Sequence, residues 1–370
     1  MMDSNPKLHD FLNKIINMDT VHGLKKIPDE TADLIFADPP YNLQLKEELW
    51  RPNQTLVSAV TDHWDKFSSF QDYDDFSLKW LTECRRVMKK NAAIWVIGTY
   101  HNIFRIGKIM QDLGFWIIND VIWIKTNPMP NFRGTRFTNA HETLIMAVKD
   151  KNSRYTFHYK SMKIFNDDLQ MRSDWNIPIC SGTERIRING SKAHSTQKPE
   201  ELLRRVLIST TNPGDIVLDP FMGSGTTGVV SKMLGRNYMG IEGEKDYVEI
   251  AEKRIEKVKR LDMNLLIYPA EEKPPKVPLG ALVSAGYIRE GETVYSENKK
   301  FNATVLANAT LISNDIHGSI HSVSASLLGK PNFNGWHFWF VERDGNMVCI
   351  DDLRKKYIKD WGLTSYKIGD

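Results

Sequence analysis

The chain has 370 residues, 41% hydrophobic and 10% aromatic, enough for one large domain plus a smaller one around a sizeable core. Lys and Arg number 49 against 46 Asp and Glu, a formal net charge of +3, so the overall balance announces no polyanionic partner and the distribution must be examined instead. Three scattered cysteines, Cys84, Cys180 and Cys349, exclude a disulfide framework and point to a reducing cytoplasm. With neither a leader-like N-terminus nor a run of about 18 uncharged apolar residues, secretion and membrane spanning are not expected.

Residues 33–37, DLIFA, predict a short buried strand closed by the loop DPPYN. Over 67–90 the apolar positions Phe76, Trp80, Leu81, Cys84, Val87 and Met88 recur at helical spacing, and basic residues close the run. AAIWVIG at 92–98 predicts a second strand, and 101–113 a helix stopped by Gly114. From 127 to 192 the regularity is lost; the segment is rich in Asn, Arg, Lys and aromatics and reads as a loop-rich insertion around one more strand, HETLIMAV. Alternation resumes with the helix KPEELLRRVLIST, the strand DIVLDPF, a Gly-rich turn, a helix to Leu234, the strand YMGIE and a helix from Lys245 to about Leu261. Such alternation predicts an α/β fold with a parallel sheet. Residues 268–278 carry four prolines and no periodicity, as a semi-rigid linker does, leaving 1–267 as one domain and 279–370 as a separate small one.

LDPFMGSGTTG sets Gly223, Gly225 and Gly228 in GxGxxG spacing at a strand-to-helix turn, where absent side chains let backbone approach a nucleotide. Glu242 follows Gly223 by 19 positions, close to the roughly 20-residue offset at which an acid meets ribose hydroxyls. On spacing alone NAD fits as well as any ligand, and an NAD-dependent oxidoreductase stays open. Asp219 turns the reading towards S-adenosylmethionine. A carboxylate at the strand end repels a pyrophosphate but suits the cationic end of an amino acid, whose carboxylate the helix N-terminus could engage.

Together Asp38-Pro39-Pro40-Tyr41 and DPFMGSGTTG resemble the amino-group DNA methyltransferases, whose motif is Asp/Ser/Asn-Pro-Pro-Tyr/Phe/Trp. The residue types suit that chemistry. An exocyclic amine is a poor nucleophile because its lone pair is delocalised into the ring. Asp38 can accept one N–H and the Pro39 carbonyl the other, both more strongly as positive charge develops. Pro39 and Pro40 fix φ and carry no N–H, so a carbonyl is presented with little backbone freedom. Tyr41 offers a face for a base drawn out of its stack. No metal is expected, since the ten histidines form no ligand-spaced cluster. In this family Asp in the first position goes mainly with adenine N6 and Ser with cytosine N4, so the resemblance implies adenine, with cytosine N4 as the alternative.

The order of the motifs, DPPY first, resembles the β-class permutation. The segments DLIFADPPYNLQL, IWVIGTYHNIFRIG, NPMPNFRGTRFTNAHETLI and QMRSDW are similar to the cell-cycle-regulated adenine methyltransferases of CcrM type, over essentially the whole chain. The resemblance implies a circularly permuted Rossmann-like fold with a mostly parallel sheet and helices on both faces. It also implies S-adenosylmethionine as cofactor, double-stranded DNA as partner with GANTC as target, a homodimer as a further option, and the bacterial cytoplasm with its nucleoid as location. AHSTQKP resembles the family's cofactor-proximal segment, with Ser195 where proline is usual. Cofactor contacts are expected at Asp19, Thr196, Gln197, Lys198, Asp219, Phe221, Gly223, Ser224, Gly225, Thr226 and Glu242.

DNA contacts are expected from Arg133, Arg136, Arg172, Arg185 and Arg187, which lie among aromatics and turn residues, because arginine binds phosphate or reads guanine. Leu45, Leu49, Trp50 and Arg51, behind the catalytic motif, could wedge between or stack on displaced bases. GSIHSVSASLLG and NGWHFWF resemble the methylase-associated RAMA module, a small α+β domain with Trp336, Phe338 and Trp339 as its core, while Asn334, Trp336 and Arg354 are its candidates for reaching DNA.

Overall fold

Apolar runs become the strands of one eight-stranded sheet in the first of two units, Met1–Pro269. In chain order this unit holds β1 (Lys14–Asn17), α1 (Thr20–Lys26), β2 (Ala32–Ala37), α2 (Phe70–Val87), β3 (Met88–Gly98), α3 (Ile103–Asp112), β4 (Trp116–Lys125) and β5 (His141–Val148). It continues with α4 (Tyr159–Ile164), β6 (Asp174–Ile177), β7 (Arg187–Ile188), β8 (Ser191–Lys192), α5 (Glu200–Thr210), β9 (Ile216–Asp219), α6 (Thr226–Met233), β10 (Asn237–Glu242) and α7 (Lys245–Glu256). The computed structural model describes residues 8–43, 65–131, 134–188, 191–192, 196–262, 272–273, 275–363 and 366–367.

The sheet order is β1-β10-β9-β2-β3-β5-β4-β6. From β1 to β3 every neighbouring pair is parallel, whereas β5 runs antiparallel to both β3 and β4. Helices cover both faces, so the β2 side chains alternate between two cores: Ile35 packs with Trp80, Ile94 and Val96, and Leu34 and Phe36 with Trp95, Leu203 and Val217. A parallel strand buried on both faces reads as an unbroken apolar run, which is why DLIFA shows no alternation. On α2 the buried positions Tyr73, Ser77, Trp80, Leu81, Cys84 and Val87 recur at three- and four-residue steps, and the Ser69 side chain caps the helix by accepting the Asp72 N–H. The helix ends before the predicted Lys90, because Met88 already pairs with Ala32 in the sheet.

Two parts of the sequence expectation change. The span 116–125, assigned no element there, is the strand β4, and HETLIMAV lies inside the main sheet between β3 and β4 rather than in a peripheral insertion. Because β5 runs backwards, its first residues lie at the carboxyl edge of β2 and β3. At that edge the chain leaves β2 towards β3 on one side and β9 towards β10 on the other, a switch point that opens a crevice at the strand ends.

The second unit, Ala270–Asp370, comprises β11 (Glu272–Lys273), α8 (Leu279–Ser284), β12 (Thr293–Ser296), β13 (Asn302–Val305), β14 (Leu311–Ser313), β15 (Ile316–Gly318), α9 (Ile320–Leu327), β16 (Trp339–Arg343), β17 (Asn346–Cys349), α10 (Ile350–Asp360) and β18 (Tyr366–Lys367). Six of its strands form an antiparallel sheet, β15-β14-β13-β12-β16-β17, around Val294, Leu311, Val323, Trp339 and Ile350. Val277, which the proline count places in the linker, packs into this core. No described helix is long and apolar enough to cross a membrane.

Candidate active site

Three acids end the neighbouring parallel strands: Asp38 follows β2, Asp219 ends β9 and Glu242 ends β10. All three line one cavity of about 250 Å³, together with Asp19, Pro39, Pro40, Tyr41, Thr196, Gln197, Lys198, Phe221, Gly223, Ser224 and Thr226. Of the residues expected for catalysis and cofactor, only Gly225 is outside that lining.

The Gly-rich turn holds its acids by backbone. Glu242 accepts the Gly223 N–H at 2.8 Å on one oxygen and the Glu244 N–H at 2.9 Å on the other. Asp219 accepts the Phe221 N–H at 2.9 Å and the Thr227 hydroxyl at 2.5 Å, and Phe221 is fixed edge-on against Trp80 at 5.3 Å. Burial pushes the Asp219 carboxyl up to about 7. No lysine or arginine among the described residues pairs with it, so a ligand's cationic amine is a fitting counter-charge. Asp19 is spent in part on its own helix, where its Oδ1 accepts the His22 N–H as the α1 cap.

The glycines divide their work. Gly223 and Gly225 have φ of +50° and +79°. A Cβ on Gly225 would meet that of Ala251 at 2.8 Å, and one on Gly228 would meet Ile255 Cδ1 at 2.4 Å, so the missing side chains at these two let α7 pack on α6. Gly225→Ala is therefore expected to cost roughly 1–3 kcal/mol by overpacking a left-handed position, measured as a lower denaturant midpoint.

The DPPY loop is clamped from several sides. Tyr73 donates its hydroxyl to the Pro40 carbonyl at 2.8 Å, and Asn102 donates to Tyr73 at 3.1 Å. Asn42 has φ +54°, a conformation asparagine tolerates, and Asp65 accepts the Asn42 and Leu43 N–H groups at 2.7 and 3.1 Å. Nothing among the described residues donates to the Pro39 carbonyl.

Asp38 is not alone. Its Oδ2 is 2.6 Å from Lys198 Nζ and its Oδ1 accepts the Tyr41 hydroxyl at 2.8 Å; that hydroxyl is also 3.1 Å from Glu142 Oε2. Glu142 Oε1 pairs with Lys125 at 2.8 Å. Burial raises the Asp38 carboxyl, and Lys198 offsets this only in part. Burial acts on Glu142 in the same sense, but Lys198 and Lys125 outweigh it and hold the group below the ordinary carboxylate range. Burial and the two acids push the Tyr41 phenol well up, so it stays protonated. Tyr41 is 8% exposed: its hydroxyl serves the two acids, and Lys198 Nζ lies over its ring, 5.3 Å from the centre.

Sequence reasoning missed Glu142, Lys125, Asp65, Tyr73 and Asn102. Glu142 and Lys125 reach the site only because β5 is reversed against β3 and β4.

Of the residues assigned to DNA, Leu45, Leu49, Trp50, Arg51 and Arg133 lie outside the described residues, as does Ser195. Arg136 is exposed and lies over Tyr100, Arg172 is paired with Asp174, and Arg185 and Arg187 stand at the entry to β7, half-buried and exposed respectively. In the second unit the three candidates turn inward. Trp336 is 7% exposed, the Asn334 side chain caps the following turn by accepting the Trp336 N–H, and Arg354 stacks on Trp336 at 4.5 Å while pairing with buried Asp351. Asn334 thus acts as a cap and Trp336 as part of the core, while Arg354, engaged by Trp336 and Asp351, keeps its Nε without a partner.

Comparison with known proteins decides the family. Residues 32–253 match the N6/N4 DNA methylase family, and residues 265–362 match the module described as Restriction Enzyme Adenine Methylase Associated. The type II methyltransferase M.HinfI of Haemophilus influenzae is 49% identical over 358 residues, 96% of this chain and 99% of its own length. The chain belongs to the N6/N4 DNA methylase family. This methylase also shares 43% identity over 244 residues with the type II methyltransferase M2.LlaDCHI of Lactococcus lactis subsp. cremoris, covering 66% of this chain and 89% of that protein. Among solved structures, the cytosine-N4-specific PvuII DNA methyltransferase superposes with a TM-score of 0.52 at 20% identity, over 68% of this chain and 89% of that one. The fold is the Rossmann-like fold of S-adenosylmethionine-dependent methyltransferases, and S-adenosylmethionine is the methylase's cofactor, which removes the NAD alternative.

Proposed function

We propose that the methylase transfers a methyl group to N6 of an adenine rotated out of double-stranded DNA, with GANTC as its target. The observation that carries this reading is the meeting of two centres in one cavity: Asp38 and the Pro39 carbonyl, to which no described residue donates, on one wall, and buried Asp219, ion-paired with no described residue, with Glu242 on the other. Aspartate in the first DPPY position and a module named for adenine methylases both favour adenine over cytosine.

On this reading Asp219 takes the cofactor's ammonium, Glu242 its ribose hydroxyls and Asp19 its adenine amine. When bound, S-adenosylmethionine supplies an electrophilic methyl on a sulfonium. Asp38 and the Pro39 carbonyl accept the two N–H bonds of the target amine and draw its lone pair out of the ring. Both contacts strengthen as the nitrogen becomes cationic, which lowers the barrier rather than merely binding the base. Asp38 lies close enough to Asp219 for its charge to act on that carboxyl, so the two walls are electrostatically coupled.

Methylation mapping of plasmid DNA after expression tests base and sequence together. Modified adenine confined to GANTC is the expected result; modified cytosine, or adenine at unrelated sequences, refutes the corresponding half of the proposal.

A further inference from the structure

The site holds more buried charge than this chemistry uses. Both oxygens of Asp38 are engaged, Oδ2 by the Lys198 ammonium at 2.6 Å and Oδ1 by the Tyr41 hydroxyl at 2.8 Å. Each oxygen keeps a further lone pair, but the ammonium and the hydroxyl draw on the charge that the amine N–H must meet during transfer. Each donor already has a second acceptor in reach, and it is the same atom: Glu142 Oε2 lies 3.1 Å from the Tyr41 hydroxyl and 3.9 Å from Lys198 Nζ. A hydroxyl has one proton to give, so Tyr41 serves Asp38 or Glu142 but not both at once. The other oxygen of Glu142 is held by Lys125 at 2.8 Å, which anchors the carboxylate and leaves Oε2 facing the site.

We propose that Glu142 is a positioning residue for methyl transfer: as the target amine enters, it takes the Lys198 ammonium and the Tyr41 hydroxyl off Asp38, freeing that carboxylate for the amine N–H. The inference rests on the reading of Asp38 given above. The exchange is small in distance and leaves the net charge unchanged, since no proton leaves the cluster: Glu142 then faces both lysines while Asp38 faces the amine. Without Glu142, Asp38 is the one carboxylate among the described residues within 4 Å of Lys198, whose remaining contact is the neutral Thr196 carbonyl at 3.4 Å, and a buried ammonium does not give up its last counter-charge cheaply.

The groups that face Asp38 are Lys198 from the head of α5, Glu142 from β5, Tyr41 from its own loop and Asp219 from the end of β9; Lys125, at the end of β4, acts through Glu142. Removing the Glu142 charge stabilises an ionised Asp38, and removing Lys125 leaves Glu142 unbalanced and does the opposite. The test is kcat against pH for the full-length protein on plasmid DNA. Saturating S-adenosylmethionine keeps Asp219 from setting the acid limb. E142Q is expected to lower kcat roughly 10- to 100-fold, to leave cofactor affinity by calorimetry unchanged and to move the acid limb to lower pH. K125Q is expected to move that limb to higher pH. A merely structural role would lower activity without shifting the limb in opposite directions. Wild-type kcat and limb in E142Q, or limbs unmoved in both variants, overturn the inference while the active wild-type protein upholds the reading of Asp38. A wild-type protein that methylates no DNA overturns that reading first and the inference with it. Thermal melting establishes that each variant is folded, and K125Q decides alone should E142Q not fold.

Discussion

Asp38→Ala is expected to abolish measurable methyl transfer while leaving S-adenosylmethionine binding intact. Asp38 is the only side chain of the DPPY loop with a carboxylate to offer the amine, and losing one preorganised polar contact to developing charge commonly costs 10²- to 10³-fold in rate. Here the loss is expected at or beyond the upper end, because the substitution also leaves Lys198 near the space the amine enters, putting a cation beside a nitrogen that is becoming cationic. The fold should survive. Glu142, 3.9 Å from Lys198, can take over the ammonium, and the loop is still held by Tyr73 on the Pro40 carbonyl and by Asp65 on Asn42 and Leu43. Labelled-methyl incorporation into DNA and cofactor calorimetry, run on the same preparation, separate the two properties. Near-normal incorporation would remove Asp38 from the mechanism, and loss of cofactor binding would show that the two centres are not independent.

What the sequence shows clearly is what depends on neighbours in sequence. DLIFA, the spaced apolar positions of α2 and the turn DPFMGSG each carry their structure locally, through burial on two faces, helical period and positive φ. The motifs at the ends of β2 and β9 could therefore be recognised before any pairing was known. What it hides is register and direction. Nothing in HETLIMAV says that the strand runs antiparallel inside an otherwise parallel sheet, yet that reversal alone brings Glu142 to Asp38, and the pairing of Trp123 with Glu142 brings Lys125 after it. The 116–125 span was missed because its exposure does not alternate cleanly: Trp116 is 54% exposed while Val121 and Trp123 are buried. Gly225 and Gly228 carry a demand that their spacing does not show: the atoms a Cβ would strike belong to α7. The stacking of Arg354 on Trp336 and its pairing with Asp351 are likewise invisible in the sequence.

Asp219→Asn is expected to weaken S-adenosylmethionine binding by roughly 10²-fold or more, the scale on which a buried charge pair losing one partner is felt. The pH dependence identifies the cause. In the free protein burial holds the Asp219 carboxyl at about 7 against an ordinary 3.8, so a cofactor ammonium meets an ionised partner above that pH and must displace a proton below it. Wild-type affinity should therefore fall towards tenfold per pH unit below about 7, and in the variant this dependence should vanish. Stability should move the other way. A carboxyl whose folded pKa lies above its unfolded one favours the native state when protonated; that contribution is complete below 3.8 and lost as pH rises through about 7. Above neutrality the cofactor-free wild type thus carries an unpaired buried charge that asparagine lacks, while asparagine can keep both contacts, its oxygen accepting the Phe221 N–H and its amide donating to Thr227. The variant should melt higher than the wild type without cofactor and gain less on adding it. A variant that melts lower at pH 8, or that keeps the wild-type slope of affinity against pH, would show that Asp219 is held in place by structure alone and is not the seat of the cofactor's amine.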